Sequence, residues 1–241
     1  DWSSDVCSSD LGSVVWHGFI SDITERKAAE EHTHRLAYFD ALTGLPNRRM
    51  LRLRGEQAIA EATRRQEQLA LVYIDVDFFK SVNDEHGHGV GDELLVEVAR
   101  RLKQAVREED MVARLGGDEF VVLLGMDKGL GLVDTIVGRM QQQMDAPFLI
   151  DGQRLKVSLS AGISLFPVDS ASWTELLGHA DKALYDAKGA GRHRVHYFTA
   201  ALETKAQQRR QMLHELQRAL EQDQLLLHYQ PVVRMSDGVM V

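Results

Sequence analysis

The chain has 241 residues, enough for one large domain or for one domain with pieces of neighbours, since domains run to roughly 100–200 residues. With 44% hydrophobic and 27% charged residues it can bury a real core, which excludes disorder for most of its length. A formal charge of −8 argues against a general nucleic-acid or membrane surface, while leaving room for a local basic site that takes an anionic ligand.

Residues 1–11 repeat Ser-Ser-Asp at 3–5 and 8–10 without helical or strand periodicity, and are read as a non-native or disordered segment. Their Cys7 is the only cysteine, so no internal disulfide can form, and a reducing compartment, the cytoplasm, is expected. No basic-then-apolar signal segment opens the chain, and no apolar stretch approaches the roughly 20 residues that span a bilayer. Residues 12–24, "GSVVWHGFISDIT", predict a strand, with Asp22 or Thr24 placed to cap a helix over the charged segment that follows to residue 38. Gly44, Pro46 and Asn47 mark a turn, then a helix to about residue 66.

"LALVYIDVDFF" (69–79) is a short β-rich apolar run and predicts a buried strand followed by a loop carrying Lys80. Leu94, Leu95, Val98, Leu102 and Val106 form a helical stripe over 91–108. A hairpin is expected at 111–125 about Gly116 and Gly117, then a helix at 131–145, strands near 147–151 and 155–166, a helix at 173–188 and a last strand near 193–198. This order favours an α+β fold, a mixed and mainly antiparallel sheet flanked by helices, over a doubly wound one. Residues 200–241 read as a linker helix and the truncated start of a second domain.

Chemistry concentrates in two places. At the C-terminal end of the 69–79 strand Asp75 and Asp77 share one face, where carboxylates can reach a ligand such as Mg²⁺, a hard cation that takes oxygen donors and keeps phosphates among them. The bland alternative is that one aspartate caps the next helix and the other is solvated. In "RLGGDEF" two glycines let backbone approach a phosphate while Asp118 and Glu119 present negative charge; the alternative is ordinary turn chemistry with idle acids.

"DALTGLPNRR", "IDVDFFKSVNDEHGHGVGD", "ARLGGDEF", "SAGIS" and "ADKALYDAKGAGRHRV" occur in that order between Asp40 and Phe198, and together the block resembles the GGDEF family of diguanylate cyclases. The 39–199 region would then be the cyclase domain, with the nucleotidyl cyclase-like palm fold. Asp22 to Lys27, "DITERK", resembles the exit of a PAS sensor domain, making 12–38 a PAS remnant and linker helix. "LLLHYQPVVRMSDGVMV" resembles the start of an EAL phosphodiesterase domain, without its E-A-L signature.

The resemblance implies condensation of two GTP into cyclic di-GMP and pyrophosphate by a homodimer, one GTP per monomer. Asp75, the Val76 carbonyl, Asp118 and Glu119 would hold Mg²⁺ or Mn²⁺; Asp118 would also be the candidate base for the ribose 3′-hydroxyl, with Glu119 and Lys80 in the catalytic set. Amides of Phe78, Phe79 and Lys80 would cradle phosphates, and Lys188 and Arg192 would reach the triphosphate, as anion-stabilising donors should. Asn83 and Asp92 would read guanine, whose N1–H and N2–H₂ donors suit a carboxylate, and His88 would be near the substrate, with a loop-packing role equally open. Arg107 and Asp110, in "REED", match the R-x-x-D inhibitory product site. His193 stands where the family frequently has asparagine. The rival readings are a catalytically silent GTP or cyclic di-GMP binding module that regulates an attached EAL domain, and a dimerising scaffold.

Overall fold

In the computed structural model, residues 5–8, 14–17, 22–126 and 130–199 are described. The expectations for 200–241, and for the rest of 1–21, lie outside them. Two short strands, β1 (Asp5–Ser8) and β2 (Val14–His17), pair antiparallel, so the opening segment, read as structureless, carries a hairpin strand after all. Backbone pairing needs no side-chain alternation, which is why periodicity missed it.

Helix α1 (Thr24–Tyr38) begins where the Asp22 carboxylate accepts from the Thr24 amide at 2.9 Å. It is followed by α2 (Arg48–Arg65), whose Asn47 cap accepts from the Arg49 and Met50 amides. Then come β3 (Leu69–Val76), α3 (Phe79–His86), α4 (His88–Ala105), β4 (Met111–Gly116), β5 (Glu119–Gly125) and α5 (Leu130–Asp145). A small hairpin of β6 (Phe148–Ile150) and β7 (Gln153–Leu155), β8 (Leu159–Phe166), α6 (Trp173–Gly189) and β9 (Val195–Tyr197) complete the order. The five-stranded sheet runs β4-β5-β3-β8-β9, antiparallel except for the β8–β9 pair, so the fold is the α+β sheet flanked by helices that the sequence predicted.

Alternation along β3 divides the core in two. Ala70, Val72, Ile74 and Val76 pack on one face with Leu94, Leu95, Val98 and Leu102 of α4 and Ile136 of α5. Leu71 and Tyr73 point to the other, against Leu51 of α2 and Trp173, Leu176 and Leu184 of α6. Each such fully buried side chain contributes about 1.5–3 kcal/mol. On this second face α6 lies directly on β8: a Cβ at Gly162 would sit 2.0 Å from the Ala180 carbonyl oxygen and 2.1 Å from the Leu184 nitrogen. That close approach carries the end of α6 over the end of β3.

Two expectations are corrected. The strand ends at Val76, and Lys80 stands on the first turn of α3 rather than in a loop. The expected 155–166 strand is divided into β7 and β8, with Lys156–Ser158 between them.

Candidate functional site

The register of β3 places Asp75 opposite Glu119 on one side and Ser160 on the other. Just beyond, the Val76 amide donates to the Asp118 carbonyl at 3.2 Å, so the β4–β5 turn folds against the end of β3. Two acidic clusters about 40 residues apart in sequence thus meet at one end of the central strands of the sheet. Lys188, brought over by α6, has its Nζ 2.7 Å from Asp75 Oδ2. Burial pushes the Asp75 carboxyl up to about 6; the Lys188 ammonium pulls against it, and the charges of Asp118 and Asp77 add to it. Removal from water, more than the neighbouring charges, sets this direction.

Among the described residues no three histidine, cysteine or acidic side chains converge into a metal cage. That is compatible with Mg²⁺, which is usually held by one or two carboxylates with water and substrate phosphates supplying the other oxygens, rather than by an all-protein shell. The donor set fits: Asp75 and Asp118 bring carboxylate oxygens to neighbouring positions at the end of β3.

Behind Glu119 stands Tyr73, two positions before Asp75 on the same face of β3. Burial, then the charge of Glu119 and the hydrogen bond that the phenol gives it, push the Tyr73 hydroxyl above its ordinary value. Sequence reading passed over this tyrosine as one more apolar residue of the strand; its polar end was the available signal.

Helix α3 starts at the mouth of the site. Phe78, its N-cap, has φ 59° and supplies no side-chain cap, leaving the first-turn amides without a side-chain acceptor at the positive end of the helix. Phe78 is 63% exposed, and the Arg192 guanidinium stacks over its ring at 4.8 Å. Lys80 is exposed beside them. The structure therefore gathers Asp75, Asp118, Glu119 and Lys188 around one strand end, with Phe78, Phe79, Lys80 and Arg192 at the adjoining helix start.

Asn83 lies farther along α3, with its Oδ1 buried and unpartnered. It packs against the first turn of α4 at Gly91, where an added Cβ would be 1.9 Å from that oxygen. Asp92 is the next residue, exposed, and His88 is the exposed first residue of the same helix. A buried acceptor without a donor, next to a free carboxylate, is a place for a ligand bearing N–H groups.

Arg107 and Asp110 sit at the other end of β5. Asp110 accepts from the Arg107 amide at 3.0 Å and the Gly125 amide at 3.4 Å, while Arg107 Nη1 is 3.5 Å from Glu109 Oε1. Six residue steps of about 3.4 Å separate Gly125 from Glu119, so this pair is about 20 Å from the acidic site. A cleft of about 610 Å³ between α2 and α6, lined by Arg48, Arg49, Arg52 and Trp173, shares no residue with either place.

Comparisons with known proteins agree with this fold. Residues 37–194 match the model of the family described as diguanylate cyclase, GGDEF domain. Over 218 residues, 90% of this chain and 32% of the relative, the sequence is 41% identical to the bifunctional diguanylate cyclase/cyclic di-GMP phosphodiesterase MucR of Pseudomonas aeruginosa. It is 42% identical over 221 residues to a signalling protein of Caulobacter vibrioides, covering 91% of this chain and 27% of that one. The chain thus spans about a third of the length of these curated relatives. Among solved structures, the GGDEF domain of TpbB from Pseudomonas aeruginosa superposes with a TM-score of 0.63 at 40% identity, covering 65% of this chain and 98% of that one. The coiled coil and GGDEF domain of DgcB from Caulobacter crescentus, in complex with c-di-GMP, gives 0.63 at 26% identity, covering 73% and 93%. By the family match and the shared fold, this chain belongs to the GGDEF family.

Proposed function

We propose that residues 39–199 form a diguanylate cyclase domain that condenses two GTP into cyclic di-GMP and pyrophosphate. The observation that carries the reading is the meeting of Asp75 and Asp118 at the end of β3, beside Lys188 and next to the uncapped start of α3. A receptor for nucleotide has no need of adjacent carboxylates at the phosphate end of its site.

In this reading the terminal phosphates rest on the α3 amides of Phe78, Phe79 and Lys80, with the Lys80, Lys188 and Arg192 side chains neutralising them. Guanine lies towards Asn83 and Asp92, where the Asp92 carboxylate accepts from N1–H and N2–H₂ and the buried Asn83 oxygen gains a donor; His88 flanks this end. Asp75, Asp118, Glu119 and the Val76 carbonyl would hold Mg²⁺ or Mn²⁺, which when bound polarises the phosphates and steadies negative charge on the entering and leaving oxygens. Asp118 takes the proton of the ribose 3′-hydroxyl as that oxygen bonds to the α-phosphorus of the second GTP and the bond to pyrophosphate breaks. Tyr73 holds Glu119 in place from behind.

Each domain offers one nucleotide, so the reaction needs two copies facing each other, and the charged helix α1 is the segment suited to pair them. Product would bind at Arg107 and Asp110 and restrain turnover. The flanking segments are read as a PAS remnant before the domain and an EAL start after it, which makes the chain part of a larger signalling protein. No described helix is long and apolar enough to cross a membrane.

The test is incubation of the purified chain with GTP and Mg²⁺, followed by product analysis and by nucleotide binding. Cyclic di-GMP formation that is lost in Asp118→Asn carries the proposal. Binding without turnover would make the domain a silent module, and neither would leave a scaffold.

A further inference from the structure

Beyond the effect of its charge on Asp75, Asp77 takes no role in the site described above, yet it is the most deeply buried acidic side chain of the described residues, at 1% exposure. Its carboxylate is fully engaged. Oδ1 accepts from Ser160 Oγ at 2.7 Å; Oδ2 accepts from Ser158 Oγ at 2.6 Å and from the His193 backbone amide at 3.1 Å. Its own amide donates to the Ser158 carbonyl at 2.9 Å. Among the described residues no cationic side chain pairs with it, so three neutral donors hold a buried charge. A carboxylate kept in such a place is there for the geometry it imposes.

What it imposes is the turn after α6. Arg192 and His193 are consecutive residues at φ 59° and 48°, the left-handed region that residues with a Cβ disfavour and that persists only when neighbours hold it. One anchor is α6, whose Ala187 carbonyl accepts from the Arg192 amide at 3.2 Å. The other is Asp77 Oδ2 on the His193 amide. Between the two anchors the backbone aims Arg192 over the Phe78 ring, at the mouth of the site.

We infer that Asp77 is a positioning residue for Arg192: its carboxylate, shaped by Ser158 and Ser160, locks the Arg192–His193 turn and so aims the guanidinium at the substrate's terminal phosphates. This rests on the reading of the site as one for GTP. An asparagine could keep the anchor by turning its carbonyl oxygen to the Oδ2 position and giving its NH₂ to the Ser160 hydroxyl, so the substitution that removes the anchor is Asp77→Ala.

The test uses the whole chain and compares GTP with GMP, which lacks the phosphates Arg192 would meet, by calorimetric titration. Asp77→Ala is expected to weaken GTP binding about tenfold, the loss of one charge-assisted contact, and to leave GMP binding unchanged. In an Arg192→Ala background the same substitution should add nothing. An equal loss for GTP and GMP, or a full additional loss in the Arg192→Ala background, would overturn the inference and make Asp77 a structural acid only. If Asp77→Ala does not fold, Ser158→Ala takes its place: it strips Oδ2 of one donor and should shift GTP binding alone, in the same direction but less. A wild-type chain that binds neither nucleotide overturns the GTP reading together with this inference, whereas GTP-competent wild type with additive variants sinks only the inference.

Discussion

Arg114 Nη1 lies 2.8 Å from Asp40 Oδ1, joining the residue just after α1 and its Phe39 cap to the strand that leads into the acidic turn. The same guanidinium donates through Nε and Nη2 to the Gly117 carbonyl, at 3.0 and 2.8 Å, and Arg114 is only 9% exposed. Burial works against the Asp40 charge, but hydrogen bonds from Thr43 and Arg114 prevail and hold its carboxyl below the usual range. Asp40→Ala leaves a buried guanidinium without its counter-ion and should cost about 3 kcal/mol, read by urea denaturation. Loss of more than a few-fold in turnover at full folding would show that the turn bearing Asp118 also moves. An unchanged midpoint would contradict this account.

The contact of Gly91 with Asn83 gives a second expectation. A Cβ at position 91 would lie 1.9 Å from Asn83 Oδ1 and 2.9 Å from its Cγ, while Phe79 Cζ is at 3.3 Å. Gly91→Ala should therefore displace the Asn83 side chain, cost about 1–3 kcal/mol of stability and weaken GTP more than it weakens a nucleotide whose base lacks guanine's donors. Asn83→Ala should relieve the clash and make the added methyl harmless. Paired thermal melts and GTP titrations of the two single variants and the double would check both statements.

Acid sensitivity should concentrate at Glu97. Hydrogen bonds from Arg100, and beyond the opposing effect of burial from Arg101, bring its carboxyl down to about 2 from an ordinary 4.5. A carboxyl lowered in the folded state contributes stability that is present above about 4.5 and disappears as pH falls toward 2. The pair is partly solvated, so screening keeps this to the order of 1 kcal/mol. Glu97→Gln should flatten that part of the pH–stability curve. Arg101→Ala should cost more, about 3 kcal/mol, because it strips donors from the Gln143, Ala146 and Pro147 carbonyls and a cation from the Phe148 ring, 3.7 Å away.

Arg107→Ala should abolish inhibition by micromolar cyclic di-GMP while leaving the initial rate within about twofold, since the pair lies about 20 Å along β5 from the acids. Asp110→Ala should behave differently. Its carboxylate holds the Arg107 and Gly125 amides, so this variant loses stability as well. Initial-rate assays with added product separate the two effects, and an Arg107→Ala enzyme that is still inhibited would refute the assignment.

Periodicity and turn chemistry made most of the sheet legible: β3, the β4–β5 hairpin and the helices α2, α4, α5 and α6 stand where spacing put them. Helix α3 did not show, because its eight residues carry no apolar stripe of useful length and Phe78, at φ 59°, begins it without a capping side chain. The meeting of Asp75 with the 118–119 turn followed from ordered motif blocks, and the β3–β5 register supplies its geometry. Tyr73 and Asp77 were unreadable in their roles, since what each does depends on a partner far along the chain: Glu119 for the first, Ser158, Ser160 and His193 for the second. Spacing along a strand reveals which face a residue takes and says nothing of who waits there.

β3 is bonded along nearly its whole length on both flanks, by β5 and by β8, and each face is sealed by helices. The carboxylate of Asp75, next to the end of this strand, therefore rides on backbone that is hydrogen-bonded from both sides. In the proposed cyclase a centre held this way keeps its own geometry fixed. Control of the proposed reaction would then come through what sets the spacing and orientation of the two facing copies.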